Sequence, residues 1–333
     1  MTSNFFERHC EERIDLIEGL LREGQLAAFA GPFGIGKSPV IADLTVRFIH
    51  GLDWCGRRIE RRPVIAIDCE TAGPDYKNAI SVIADRLGVA VPRVPEELDV
   101  YLEHDDMSER GTAALVTAVS QLGHEPKIDL IEASLKTKPN AVVFIDPLEM
   151  FFRLDTLKKA EVLHLYRALR NLLAKFQHAA LFTSFNLRKR DKRLRKADLL
   201  ADPRDWLEEV CGSLDLLNRS DVRLGIDVQR DEVRVINGIV RGREMHPLLI
   251  RTFLDRDDRP AGFEQASPDQ LEILASLTSK QMEYWERLPQ QFKFEQVADQ
   301  TVPRSTLSRL IRAAVSFGAL IKADDGSFKK AST

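Results

Sequence analysis

Cysteine is scarce in this chain of 333 residues: there are four, Cys10, Cys55, Cys69 and Cys211, and no two stand in Cys-x-x-Cys spacing. That excludes a disulfide framework, argues against a thiolate zinc site, and leaves reduced thiols as the expectation. Long apolar runs are also missing, so no bilayer-spanning helix and no membrane partner are expected. The stretch from Met1 to Arg8 lacks the apolar core of a signal peptide, which makes the expected compartment the cytoplasm. Nor does charge of one sign dominate: 48 Lys and Arg face 51 Asp and Glu, a net of −3. Bulk attraction to a polyanion is thereby excluded, and any such attraction must come from local patches. What remains is 44% hydrophobic and 30% charged, an ordinary globular balance. The length suits one large domain plus a small one, or two of ordinary size.

The most informative stretch is Gly31-Pro32-Phe33-Gly34-Ile35-Gly36-Lys37-Ser38, a G-x-x-x-x-G-K-S pattern. The apolar run Leu26 to Ala30 precedes it and a helical pattern, Val40 to Ile49, follows it. Strand, glycine loop and helix in that order form a phosphate-binding loop. Its glycines permit dihedrals that turn several main-chain N–H groups toward one point, where a helix N-terminus adds partial positive charge. Lys37 offers an ammonium to the β- and γ-phosphates of ATP, and Ser38 a hydroxyl to a Mg²⁺ that keeps most of its waters. Pro39 falls in the first helical turn, where a missing N–H costs little. A glycine-rich strand-to-helix turn with one surface lysine is the bland alternative.

Around this loop the periodicity predicts alternating strands and helices. An amphipathic lead-in helix is expected over 6–22, a strand at Val64 to Asp68, and a helix from Tyr76 to Leu87. An irregular acidic excursion over 91–110 follows, then helices over 113–122 and 127–135. Next come a strand at Ala141 to Asp146, a long helix over 156–176 with Leu157 in its buried stripe, and a strand at Ala179 to Ser184. Such alternation argues for an α/β fold, a mostly parallel sheet flanked by helices. Short strands expected over 214–217, 222–228, 232–240 and 248–253 extend it in antiparallel fashion. Residues 1–254 would form this domain, 255–268 a linker rich in Asp, Arg, Pro and Gly, and 269–333 a small helical module.

Hydrolysis needs a metal-ordering carboxylate and a group that orients water. Asp146 closes an apolar strand, and ligands of open α/β sheets sit at the carboxyl ends of strands, so Asp146 is expected to hold Mg²⁺ with Ser38. Glu70, two residues past the preceding strand, is the candidate to polarise water. Thr183, Ser184 and Asn186 are candidates for a hydrogen bond that senses the γ-phosphate. A strand-ending turn aspartate and an exposed loop glutamate are the alternatives.

The G-P-F-G-I-G-K-S loop, Glu70 after the next strand, V-V-F-I-D-P-L at Val142 to Leu148 and F-T-S-F-N at Phe182 to Asn186 together resemble the RecA-like P-loop ATPases, and within them the RepA-type hexameric replicative helicases. The resemblance spans Leu26 to Arg251. It implies a ring in which a neighbour supplies basic fingers, a role that would fall to Arg241 and Arg243 of Val240-Arg241-Gly242-Arg243. The sequence departs from the family at the sensor strand, where Ser184-Phe185 stands in place of a common Gln or His.

Seven of the nine residues from Arg188 to Lys196 are basic, among them Arg188, Lys189, Arg190, Lys192, Arg193 and Arg195. So dense a run calls for a polyanion or an acidic surface to answer it. A single strand of DNA tracking along it is one reading, and the acidic excursion another. In the tail, the pattern from Phe294 to Lys330 is similar to a winged helix-turn-helix. Its second helix would carry Arg304, Arg309 and Arg312 outward toward duplex DNA. From Gln291 to Thr333 there are seven Lys and Arg against four Asp and Glu. The expectation is therefore an ATP- and Mg²⁺-dependent hydrolase acting on DNA, helicase-like and oligomeric. An ATP-gated DNA-binding regulator or loader is the alternative, and a small-molecule kinase lacks a visible acceptor lid.

Overall fold

The computed structural model describes residues 13–102, 124–187, 198–200, 202–208, 215–228, 233–254, 260–266, 279–298, 302–316, 320–323 and 325–330. The chain enters through β1 (Asp15–Ile17) and β2 (Leu21–Arg22), an antiparallel pair. The lead-in helix expected here is therefore corrected to a hairpin over its described part. Leu16, Ile17, Leu20 and Leu21 are all buried, a pattern that fits either element. Gly19 at φ +66°, whose N–H is accepted by the Asp15 carboxylate at 3.0 Å, turns the chain instead.

From there strands and helices alternate: β3 (Leu26–Gly31), α1 (Lys37–His50), β4 (Val64–Asp68), α2 (Gly73–Leu87), β5 (Leu98–Leu102), α3 (His124–Thr137), β6 (Val142–Asp146), α4 (Leu148–Phe151), α5 (Lys159–Lys175) and β7 (Ala180–Asn186). Strands β3, β4 and β6 are buried along their whole length, as continuous Val, Ile, Ala and Phe runs require when helices cover both faces of a sheet. Alternate strand residues serve opposite faces. Phe29, Phe144 and Phe182 join α1 and α2 in one apolar layer, while Ala28, Ile65, Val143 and Ile145 join α3 and α5 in the other. Leu157 lies before α5 and is 68% exposed, so the helix starts later than its apolar periodicity indicated.

Strand β5 was expected to be irregular acidic chain. It pairs in parallel with β4, and its Asp99 is neutralised by Lys138 at 2.7 Å. Residues 103–123, which include one expected helix, lie outside the described residues.

Beyond β7 come α6 (Pro203–Glu208), α7 (Asp215–Asn218), β8 (Val222–Val228), β9 (Val233–Val240), β10 (Arg243–Glu244), β11 (Leu248–Leu254) and β12 (Pro260–Gln265). The sheet runs β12-β11-β9-β8-β3-β7-β6-β4-β5, parallel from β8 to β5 and antiparallel from β8 to β12. Asp215 to Asn218 is helical where a strand was expected, in keeping with its lack of β-branched residues. The expected linker over 255–268 contributes β12, whose Phe263 is 1% exposed and accepts a 3.0 Å bond from Arg47 Nη2 through its carbonyl. A β-carbon at Gly238 would stand 1.9 Å from the Arg223 carbonyl oxygen, so β8 and β9 can approach only because that side chain is absent.

The remaining elements are α8 (Ser279–Arg287), β13 (Gln291–Lys293), α9 (Phe294–Val297), α10 (Arg304–Ser316), β14 (Leu320–Lys322) and β15 (Ser327–Lys330). Trp285, Leu288, Phe292, Val297, Leu307, Leu310 and Leu320 make their own apolar cluster, closed by the antiparallel order β13-β15-β14. Among the described residues no helix is long and apolar enough to cross a membrane.

Candidate nucleotide site at the carboxyl edge of the sheet

The loop between β3 and α1 adopts the backbone that its glycines permit. Gly34 sits at φ +74° and Gly36, which caps α1, at φ +105°, and a β-carbon on either would meet nothing within 4 Å among the described residues. Conformation, not crowding, therefore demands glycine at both. Gly31 differs, since a β-carbon there would come within 2.6 Å of Ile226 and 2.9 Å of Ile35. Of the other loop residues Ile35 is buried at 7% exposure, Phe33 is 82% exposed, and Pro32, Ser38 and Pro39 are half-buried.

Lys37 is 6% exposed, and its Nζ donates to Gly31 O and Pro32 O, each at 3.1 Å, and to Asn186 Oδ1 at 2.9 Å. Burial lowers its pKa, while Asp146, Glu70 and Glu149 pull it back up. Those three carboxylates thus sit close enough to feel the ammonium. Asp146, 2% exposed at the tip of β6, accepts a hydrogen bond from Ser184 Oγ on β7, the strand between β6 and β3. Its pKa is pushed up to about 6, first by burial and then by the Asp68 carboxylate, with the hydroxyls of Ser184 and Ser38 opposing. Its Oδ2 is buried and has no hydrogen-bond partner among the described residues. A buried, orphaned carboxylate oxygen beside a hydroxyl fits a water-ligated cation. Among the described residues no three His, Cys, Asp or Glu side chains form a cage for a metal, so the donors for Mg²⁺ would be Ser38, carboxylate and substrate phosphate.

Sequence reasoning passed over Asp68. It stands opposite Asp146 in the β4–β6 register, is 5% exposed, and its Oδ1 accepts the N–H groups of Glu70 and Thr71 at 2.9 and 2.8 Å. The turn that presents exposed Glu70 is built on that carboxylate. The repeated strand ending, V-I-A-I-D against V-V-F-I-D, was the available signal. Glu149 was also missed: its Oε1 accepts from Asn186 N at 3.0 Å and Nδ2 at 3.2 Å.

Strand β7 divides its three polar candidates. Thr183 Oγ1 donates to Ala27 O at 3.0 Å inside the sheet, Ser184 serves Asp146, and Asn186 alone reaches Lys37. Arg241 and Arg243 lie elsewhere. Val240 pairs with Val222 and Ala27 with Val222, which puts Arg241 at the amino edge of β3, where it meets Asp15 at 3.5 Å. They are not part of their own chain's phosphate site. Arg188, Lys189, Arg190, Lys192, Arg193 and Arg195 lie outside the described residues. Arg309 and Arg312 belong to α10, but their side chains are outside the described set; Arg304 is exposed and paired with Glu295.

A strand, a left-handed glycine loop and a helix that carries Lys37 and Ser38, completed by Asp146 across one intervening strand, define a P-loop nucleoside triphosphatase of RecA-like topology. The chain belongs to the AAA domain family, whose model matches residues 2–190, more than half its length. It is similar in structure to the RadB recombinase at 15% identity and a TM-score of 0.45, over 73% of this chain and 91% of that one. No curated protein matches the sequence.

Proposed function

We propose that this chain is a Mg²⁺-dependent ATPase that acts on DNA in replication, recombination or repair, as a ring-forming homo-oligomer such as a hexamer, in the cytoplasm. The observation that carries the ATPase reading is the convergence of buried Lys37 and the unpartnered Asp146 Oδ2 at one sheet edge. Main-chain amides of the loop and the N-terminus of α1 bind phosphate, and Lys37 neutralises it. Ser38 and Asp146 would hold Mg²⁺, which would supply further neutralisation of phosphate charge. Glu70, held out by the Asp68 turn, orients the attacking water and takes its proton. Arg241 and Arg243, remote from their own loop, serve the site of the next copy, which their place at the opposite edge favours. The run from Arg188 to Arg195 follows β7 directly and would track a single strand, giving helicase or translocase action.

A second reading is favoured by the C-terminal unit. Its separate core, its order α8-β13-α9-α10-β14-β15 and its exposed Arg304, Lys322 and Lys329 suit a winged helix-turn-helix on residues 269–333 that grips duplex DNA. An ATP-gated regulator or loader would use it so. ATP turnover measured with no DNA, with single strands and with duplex separates the readings. Stimulation by single strands supports a motor, and slow turnover with duplex sequence preference a regulator. If DNA neither binds nor alters turnover, both fail.

A further inference from the structure

Lys37 is a donor only and a carboxylate an acceptor only, so the two charged neighbours of Asn186 fix which way its amide faces. Nδ2 faces Glu149 Oε1 at 3.2 Å, and Oδ1 faces Lys37 Nζ at 2.9 Å. The same Glu149 oxygen accepts the Asn186 main-chain N–H at 3.0 Å, so side chain and backbone are gripped together. Turning the amide over would set Oδ1 against a carboxylate and two donors against an ammonium. Lys37 meanwhile spends its hydrogens on three acceptors, Gly31 O, Pro32 O and Asn186 Oδ1. A phosphate that takes the ammonium must displace one of them. Asn186 Oδ1 is the only side-chain acceptor of the three and the only one outside the loop. In the β3–β7 register Asn186 stands beside Gly31, at the mouth of the loop.

We propose that Glu149 is a positioning residue that locks Asn186 with its carbonyl oxygen toward the phosphate loop, so that Asn186 competes with the nucleotide for Lys37. Glu149 and Asn186 thus form a clasp that holds the ligand-free lysine in place and weakens nucleotide binding. An acceptor facing the site offers nothing to a phosphate oxygen. Once Lys37 leaves it, Asn186 Oδ1 is left to accept from water. This inference rests on the reading of the loop as a nucleoside triphosphate site.

The test measures binding of fluorescently labelled ATP and ADP, each with Mg²⁺, to the full chain and to Asn186→Ala, Glu149→Leu and their double variant. Lys37→Ala serves as the control. Removing Asn186 Oδ1 frees the ammonium, and Asn186→Ala should bind both nucleotides about tenfold more tightly, the worth of one hydrogen bond to a charged group. Glu149→Leu offers Asn186 no acceptor, neither for its main-chain N–H nor for Nδ2, so the lock is lost and binding tightens in the same direction. Because Glu149 acts through Asn186, the double variant should bind no more tightly than Asn186→Ala alone. A merely structural pair would weaken binding or leave it unchanged in both single variants, and either result overturns the clasp, as does additivity in the double variant. Asn186→Ser, too short to span both partners, replaces Asn186→Ala should the latter not fold. If the unaltered chain binds neither nucleotide, the nucleotide site itself fails. If it binds, Lys37→Ala abolishes binding and the clasp variants do not tighten it, only the clasp fails.

Discussion

Replacing Asp146 with Asn should stabilise the nucleotide-free protein, and more at neutral than at acid pH. The carboxyl of Asp146 is 2% exposed and its pKa is raised from 3.8 to about 6, by burial first and by Asp68 next. A carboxyl held above its unfolded value binds its proton more tightly when folded. Its contribution is therefore present below about pH 4 and is lost as pH rises through 6. At 1.36 kcal/mol per pH unit, ionisation costs the folded state about 2 kcal/mol at pH 5 and about 3 kcal/mol at pH 7.5. Asn keeps an oxygen to accept from Ser184 and carries no charge. Relative to the unaltered chain, Asp146→Asn should thus gain about 1 kcal/mol between those pH values. Urea unfolding of both proteins at the two pH values, without metal or nucleotide, measures this as a double difference in which other titrating groups largely cancel. Equal effects of the substitution at pH 5 and pH 7.5 would refute it. So would a loss of stability that grows with pH.

Two further outcomes follow from packing. Gly238→Ala sets a β-carbon 1.9 Å from Arg223 O, a backbone atom that cannot move aside, so β8 and β9 must separate; a loss of about 3 kcal/mol or more in urea unfolding is expected, and less than about 1 would show that the strands adjust. Arg47→Met strips Asp43, 0% exposed, of the guanidinium that bonds it at 2.8 Å. The cost should be about 3–5 kcal/mol, and Asp43→Asn in the same background should recover part of it; no recovery would place the cost elsewhere.

The phosphate loop was legible because its residue types answer a backbone requirement: Gly34 and Gly36 do take positive φ, and Lys37 does point under the turn. The parallel sheet followed from uninterrupted apolar runs at β3, β4 and β6. What escaped was set by tertiary context. Asp15 to Arg22 buries the same leucines whether helix or hairpin, and the choice falls to one glycine and one carboxylate. Strand β5 hides in an acidic stretch because its charge is answered from α3's far end, by Lys138. β12 looks like a linker because it is an edge strand whose Phe263 is its chief apolar anchor. Asp68 was overlooked for Glu70 because it ends the strand that Glu70 follows, and only the register with Asp146 shows that it belongs to the site. Glu149 acts through Asn186, a contact 37 residues away that no local spacing reveals.

The most direct test of a triphosphate held at this edge and cleaved with the help of Glu70 is single-turnover hydrolysis of ATP with Mg²⁺, by the unaltered chain and by Glu70→Gln, with binding measured on both. Glu70→Gln should retain ATP within a few-fold of the unaltered affinity and lose at least about a hundredfold in rate, the scale of one general base. Cleavage by Glu70→Gln at the unaltered rate, or no ATP bound by either protein, would contradict the account.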